Sequence, residues 1–315
     1  MAALTVPLKT WFAVLLAVLA TACATLPAEP RPQQVAPGVY MVQGAAGDTS
    51  PANLGRLGNS GFIVGDTGVI AIDTGASYRH GQALLAAIAR VTDRPVKLAL
   101  VTHTRQEFLF GATAYQERGI PVHMHRQAAQ LMAARCETCL KTLQRTLGDD
   151  ALRGTRLFKP DTVFDADFAT EVIGRPVRVL QFGHSSGPGD IAVLDERTAT
   201  LFAGGLVSVQ RIPDVIDSDL KGWQQALAAL AARAPAHIVP GHGPAADAAA
   251  ITAVQRYLAQ LQARLIELFA SGAPLSEVPD LAALPEFQAW DQYDLIHRRN
   301  ASVVFLRLER ELLFK

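Results

Sequence analysis

Val96-Lys97-Leu98-Ala99-Leu100-Val101-Thr102-His103-Thr104-Arg105-Gln106-Glu107-Phe108 begins as an apolar run and stops abruptly in a polar loop. A short run rich in valine and leucine suits a strand buried on both faces. The strand delivers Thr102-His103 at its C-terminal end, where a rigid sheet can aim side chains into a cleft. Two later stretches repeat the pattern: Val177–Phe182 leads into Gly183-His184, and His237-Ile238-Val239-Pro240 leads into Gly241-His242-Gly243. A lone histidine is more often structural than a ligand. Three at equivalent strand ends are harder to dismiss, because a metal needs imidazoles converging from separate elements.

Working outward, the chain reads as two similar halves. In the first, Val39–Val42 is a strand after the Pro37-Gly38 turn. Gly61–Val64 and Val69–Ile72 flank Gly65-Asp66-Thr67-Gly68 as a hairpin. His80–Val91 and Phe110–Arg118 read as helices, Val122–His125 as a strand, and Arg126–Leu147 as one or two helices. In the second, Ile191–Leu194 and Ala199–Phe202 are strands, and Gly222–Ala232 and Ala245–Ala270 are helices. The tail Trp290–Phe314 is expected to add a helix that packs back. Such halves argue for sheet on sheet with helices outside.

The ordered set of motifs resembles the metallo-β-lactamase superfamily. The matching pieces are Gly61-Phe62-Ile63-Val64, Val69-Ile70-Ala71-Ile72-Asp73-Thr74-Gly75, Val101-Thr102-His103, Gly183-His184-Ser185-Ser186-Gly187 and Val239-Pro240-Gly241-His242-Gly243. The segment Cys136-Glu137-Thr138-Cys139 and the tail His297-Arg298-Arg299-Asn300-Ala301 are similar to exported members associated with quinoprotein or sulfur-oxidation systems. The resemblance implies a mixed α/β fold, a four-layer αββα sandwich over residues 38–270, and a C-terminal helical extension over 271–315. It also implies hydrolysis by hydroxide held on one or two zinc ions, which lower the pKa of water from 15.7 to about 7.

The metal motif departs from the family pattern His-x-His-x-Asp-His. His103 keeps the first histidine, Arg105 replaces the second, Glu107 the aspartate and Phe108 the last histidine. Gly205, within Phe202-Ala203-Gly204-Gly205-Leu206, stands where a bridging aspartate is expected. Arginine is a permanent cation and cannot coordinate zinc, Phe108 has no lone pair to give, and Gly205 removes the carboxylate that usually bridges two metals, so the chemistry disfavours a two-metal site. Two readings remain open. In the first, His103, His184, His242 and Glu107 hold a single zinc and the chain is a hydrolase, with Glu107 and Arg105 as its catalytic candidates. In the second, Arg105 and Glu107 form an ion pair, no zinc is bound, and a pseudoenzyme takes a small anion or a protein partner through the guanidinium. Asp73 reads as a turn cap or a residue shaping the site. Asp190 reads as a loop anchor, and His123 and His125 share one strand face. His80, His237 and His297 show no partner in the sequence.

Composition bounds the remaining classes. The chain has 315 residues, equal numbers of basic and acidic side chains (29 each) and a mean hydropathy of +0.18. A globular body follows, and a nucleic-acid binder, which needs a basic face, does not. Trp11–Ala20 has the length of a signal-peptide core and is short for a membrane span. Residues 1–23 therefore read as an export signal, placing the protein in the periplasm or on its membrane. In one reading Cys23 is lipidated and tethers the chain; in the other an Ala-x-Ala site is cut. Residues 24–37 read as a Pro-rich spacer. Cys136 and Cys139 stand three apart in a helical segment. In an oxidising compartment they suit first a local disulfide, then exchange with a redox partner, and last a metal.

Overall fold

The computed structural model describes residues 29–313; the segment expected to be an export signal, with Cys23, lies outside them. The first sheet has seven strands in sequence order: β1 (Gln33–Ala36), β2 (Val39–Val42), β3 (Ser60–Val64), β4 (Val69–Ile72), β5 (Val96–Val101), β6 (Val122–His125) and β7 (Thr162–Phe164). The second has five in the order β12 (His237–His242), β11 (Thr200–Ser208), β10 (Ile191–Asp195), β9 (Val177–Gln181) and β8 (Phe168–Thr170). The expected spacer over 24–37 is corrected at its C-terminal end. Gln33–Ala36 pairs antiparallel with β2 as the edge strand, because Val35-Ala36 offers apolar side chains after Pro32 and the Pro37-Gly38 turn folds the segment back.

Strand alternation builds the layers. In β4, Ile70 and Ile72 meet Val177, Val179, Ile191, Val193 and Phe202 of the second sheet, while Val69 and Ala71 face the outer helices. Burial on both faces explains why this segment reads as a continuous apolar run. On the first sheet lie α1 (Tyr78–Ala89), α2 (Gln106–Leu109), α3 (Ala112–Gln116) and the 22-residue α4 (Arg126–Leu147). On the second lie α5 (Leu220–Ala231), α6 (Ala249–Ala270), the short α7 (Val278–Leu281) and α8 (Arg298–Leu313). The expected tail helix is thus present, and it packs Ala301, Val304 and Phe305 into the outer core. The expected four-layer αββα sandwich is the observed architecture.

Helix starts follow local chemistry. Ser77 caps α1 by accepting from the His80 amide (3.2 Å), and Asp219 caps α5 by accepting from Lys221 and Gly222. His125 caps α4, its Nδ1 accepting from Gln127 at 3.2 Å, so it does not share an open face with the half-buried His123. His297 is buried between the Tyr257 hydroxyl (3.1 Å) and the Ala282 carbonyl (3.0 Å), a packing role in the extension.

One buried ion pair joins the sheets away from the cleft. The Arg175 guanidinium donates to both Asp195 oxygens (2.5 and 2.6 Å) and to the carbonyls of Val64 (3.1 Å) and Pro37 (2.9 Å). Gly38 is required beside it: its φ is +75°, and a Cβ there would lie 2.3 Å from an Arg175 nitrogen.

His80 is buried in α1, its Nδ1 accepting from the Ala76 amide at 3.1 Å. Burial, with a smaller contribution from the Arg56 charge, drops its pKa from 6.5 to about 3. Below pH 6.5 the unfolded chain takes up a proton that the folded chain refuses. Stability present above that pH is therefore lost as the pH falls toward 3, by about 1.4 kcal/mol per pH unit for this one group. Urea unfolding across this range should show a shallower acid limb for His80→Gln, and an unchanged slope would remove His80 from the account.

Candidate functional site

The cleft opens at the tips of β5, β11 and β12. Its closeness depends on glycine. A Cβ on Gly204, whose φ is +50°, would lie 2.3 Å from Thr102 Oγ1, and one on Gly205 would lie 2.6 Å from the His103 ring. These glycines let β11 run on past the expected end at Phe202 to Ser208, nine residues in all, with register irregularities at Gly204, directly under the His103 loop. Asp73, at the tip of β4 with φ +59°, accepts from the Thr102 amide (2.8 Å) and hydroxyl (2.8 and 3.0 Å). Burial raises its pKa to about 7 despite these bonds. Asp73 thus shapes the site by fixing the loop that begins at Thr102.

His103 is held firmly. Its Nδ1 lies 2.5 Å from Asp190 Oδ1, and the second Asp190 oxygen accepts from Ser185 Oγ (2.8 Å), Ser186 Oγ (2.5 Å) and the Gly187 amide (2.8 Å). Burial opposes ionisation of Asp190, but the His103 charge and hydrogen bond, with Ser186 and Gly187, hold its pKa below the ordinary value. Asp190 is the loop anchor expected from sequence, and it is also the partner of His103, which spacing did not show.

That anchoring decides the fate of His184. The loop turns tightly, with Gly189 donating to the Gly183 carbonyl (2.6 Å) and Ser185 to the Gly187 carbonyl (3.1 Å). Ser186 points into the hollow, and His184 points out. The exposed His184 ring donates from Nε2 to the Asp217 carbonyl at 2.6 Å. The expected convergence of three histidines is corrected: the hollow gathers His103 and His242, and His184 lies outside it.

His242 Nε2 is 3.2 Å from Glu107 Oε1. Burial disfavours the Glu107 charge, yet the His242 hydrogen bond and the nearby Arg105 lower its pKa to about 2. Burial lowers the pKa of His242 as well, only partly offset by Glu107. At neutral pH the arrangement is a neutral imidazole donating Nε2–H to a carboxylate. Phe108 is fully buried and packs edge-on against both rings, with centroids 5.9 Å from His103 and 5.4 Å from His242.

Arg105 does not pair with Glu107, as one reading expected. Its Nη1 donates to Asp214 Oδ2 at 2.8 Å, and Arg299 of α8 donates to the same oxygen. Arg211 and Ile296 also line the hollow, and Arg211 is paired with Asp291. Sequence reasoning missed Asp214, Arg211, Ser186 and Arg299. Asp214 follows Ile212-Pro213 in a loop with no spacing signal, and Arg299 comes from the extension.

The donor set does not fit a zinc ion. Glu107 and His242 are bound to one another, a guanidinium and a phenyl ring stand beside them, and Gly205 lacks a carboxylate and abuts His103. Among the described residues no three His, Cys, Asp or Glu side chains are grouped to hold a metal. The expected quartet His103, Glu107, His184 and His242 is therefore not assembled. The hollow itself is about 30 Å³, enough for a water or two.

The sequence matches the family model of the metallo-beta-lactamase superfamily over residues 54–242. Solved structures of similar fold include a metallo-beta-lactamase from Pontibacter korlensis, 23% identical, with a TM-score of 0.60, covering 73% of this chain and 99% of that one. The mono-zinc form of FIM-1 from Pseudomonas aeruginosa is 18% identical, with a TM-score of 0.56 and coverage of 74% and 96%. A metallo-beta-lactamase from Erythrobacter litoralis, with beta-mercaptoethanol in its active site, is 18% identical, with a TM-score of 0.57 and coverage of 74% and 97%. No curated protein matches the sequence. The family match spans more than half the chain, and the chain belongs to the metallo-beta-lactamase superfamily. It is a hydrolase-like protein by fold; the likeness to the solved structures bears on fold alone.

Proposed function

We propose that this chain is an exported, metal-independent member of the superfamily: a binding protein that takes a small anionic group at Arg105, in place of a zinc hydrolase. The observation that carries this reading is the mutual satisfaction of the groups in the hollow. His242 is bound to Glu107, Arg105 to Asp214 and His103 to Asp190, with Phe108 wedged against both imidazoles. A metal would have to break the Glu107–His242 bond and lie near a fixed positive charge. Arg105 has five donors, and its side chain is 29% exposed, so it can reach a carboxylate or phosphate from the cleft mouth while Asp214 holds Nη1. Export rests on Trp11–Ala20, with Cys23 as the lipid tether in one of its two forms. The likeness to the quinoprotein and sulfur-oxidation branch belongs to the same reading.

Elemental analysis after incubation with excess zinc and desalting should find far less than one zinc per chain. Phosphate titration should show binding weakened about tenfold or more in Arg105→Ala, corresponding to one charge-assisted hydrogen bond. One retained zinc per chain that disappears in His103→Ala and His242→Ala would overturn the metal-free part. Phosphate binding indifferent to Arg105 would overturn the anion part.

A further inference from the structure

Cys136 and Cys139 lie on α4 and take no part in the site above. Both are free thiols among the described residues. Cys136 is buried in the core beneath the first sheet's helices, with Cys139 packed half-exposed against that core. Standing three apart on α4, the two side chains share one face of the helix. Arg135, beside Cys136, is paired with Asp217 at 2.5 Å, and the Asp217 carbonyl accepts from His184. The pair is thus tied to the loop that also carries Asp214.

Two neighbouring thiols on one helical face, one reachable and one sheltered, are the arrangement that disulfide exchange requires: an attacking thiol and a resolving thiol. Burial would make Cys136 inert as the attacking thiol. The half-exposed Cys139 escapes that penalty, and its interaction with the neighbouring Cys136 thiol holds its pKa below the usual thiol range, while the same interaction and burial push that of Cys136 up. The exposed sulfur is therefore the better nucleophile. Residues three apart on a helix have Cβ atoms about 5–6 Å apart, whereas a disulfide favours about 3.5–4.5 Å. Closing the bond must distort α4 locally, so the disulfide is easily reduced and suits exchange better than permanent bracing.

We propose that Cys136 and Cys139 form a thiol–disulfide exchange site, with Cys139 attacking and Cys136 resolving, for a partner that carries a disulfide. Cys139 gives its proton to solvent and attacks one partner sulfur. A mixed disulfide forms, the partner's S–S bond breaks, and the released thiolate is protonated. Cys136 then loses its proton and attacks Cys139 Sγ. The Cys136–Cys139 bond forms, the mixed disulfide breaks, and the partner leaves as its second thiol. Two electrons and two protons pass from the chain to the partner.

The test uses the full reduced chain with oxidised glutathione, and separately with insulin as a protein disulfide, read by peptide mass mapping without reductant. The native chain should form the internal Cys136–Cys139 disulfide and return to the dithiol with dithiothreitol. Cys136→Ser should stop at a mixed disulfide on Cys139, and Cys139→Ser should leave Cys136 unmodified. Reaction with glutathione identifies a small disulfide as a competent partner; reaction with insulin alone identifies a protein disulfide. If either serine variant fails to fold, a brief iodoacetamide pulse on the native chain decides: alkylation of Cys139 about tenfold ahead of Cys136 is expected from exposure and thiolate character, and equal or reversed rates overturn the assignment. No oxidation by either disulfide also overturns it.

Discussion

Arg175→Ala should lower the stability of the folded chain by about 3–5 kcal/mol, the range for removing one partner of a buried ion pair. The side chains of Arg175 and Asp195 are 3% and 0% exposed. Removing the guanidinium leaves Asp195 buried opposite an empty space, and the carbonyls of Val64 and Pro37 lose a donor. Asp195 retains only the Thr198 amide (2.9 Å) and hydroxyl (2.5 Å). Most of the loss is thus the penalty of an uncompensated charge and not the worth of the pair. The double substitution Arg175→Met with Asp195→Leu should recover much of it, since apolar replacement of a whole buried pair is often neutral. Urea unfolding of the three variants at neutral pH reads both effects; a single variant within about 1 kcal/mol of the parent would show that the pair does not join the sheets energetically.

Asp190→Ala should cost about 3–5 kcal/mol and should also loosen the cleft. Four donors converge on this carboxylate: His103 Nδ1, Ser185 Oγ, Ser186 Oγ and the Gly187 amide. Each buried donor left without a partner costs about 1–3 kcal/mol, and the losses are not additive within one network. The His103 ring, no longer held at Nδ1, would be free to turn against Gly187 and Gly205. Asp190→Asn keeps an acceptor and the volume but loses the charge, so its cost should fall well below that of alanine. Thermal unfolding gives the stability change, and the His103 ring resonances in NMR report its release. Wild-type stability in Asp190→Ala would mean that water replaces the carboxylate without loss.

The fold was legible because it rests on periodicity. Apolar runs such as Val69–Ile72 and Val96–Val101 declare strands buried on two faces, and the spacing in Ala249–Ala270 declares a helix with one apolar stripe. The exceptions are informative. The strands Thr162–Phe164 and Phe168–Thr170 are three residues each and half-exposed, too short for a pattern to show. Strand β11 continues through Ala203-Gly204-Gly205, which reads as a break until the opposing Thr102 and His103 show why no Cβ fits.

The site was only half legible. Residue identity alone announced that Arg105, Phe108 and Gly205 cannot do the work of metal ligands, and that Asp190 anchors its loop. Pairing was beyond reach of the sequence. His184 stands two residues after an expected strand end, as His103 and His242 do, yet the hydrogen bonds gathered by Asp190 turn it outward and put Ser186 in the hollow. Arg105 finds Asp214, 109 positions away, and shares it with Arg299 of the extension. Local patterns specify which surfaces an element buries, because burial follows from the spacing of apolar groups along one short segment. Which charges meet depends on where loops from distant segments come to rest, and only the assembled sandwich decides that.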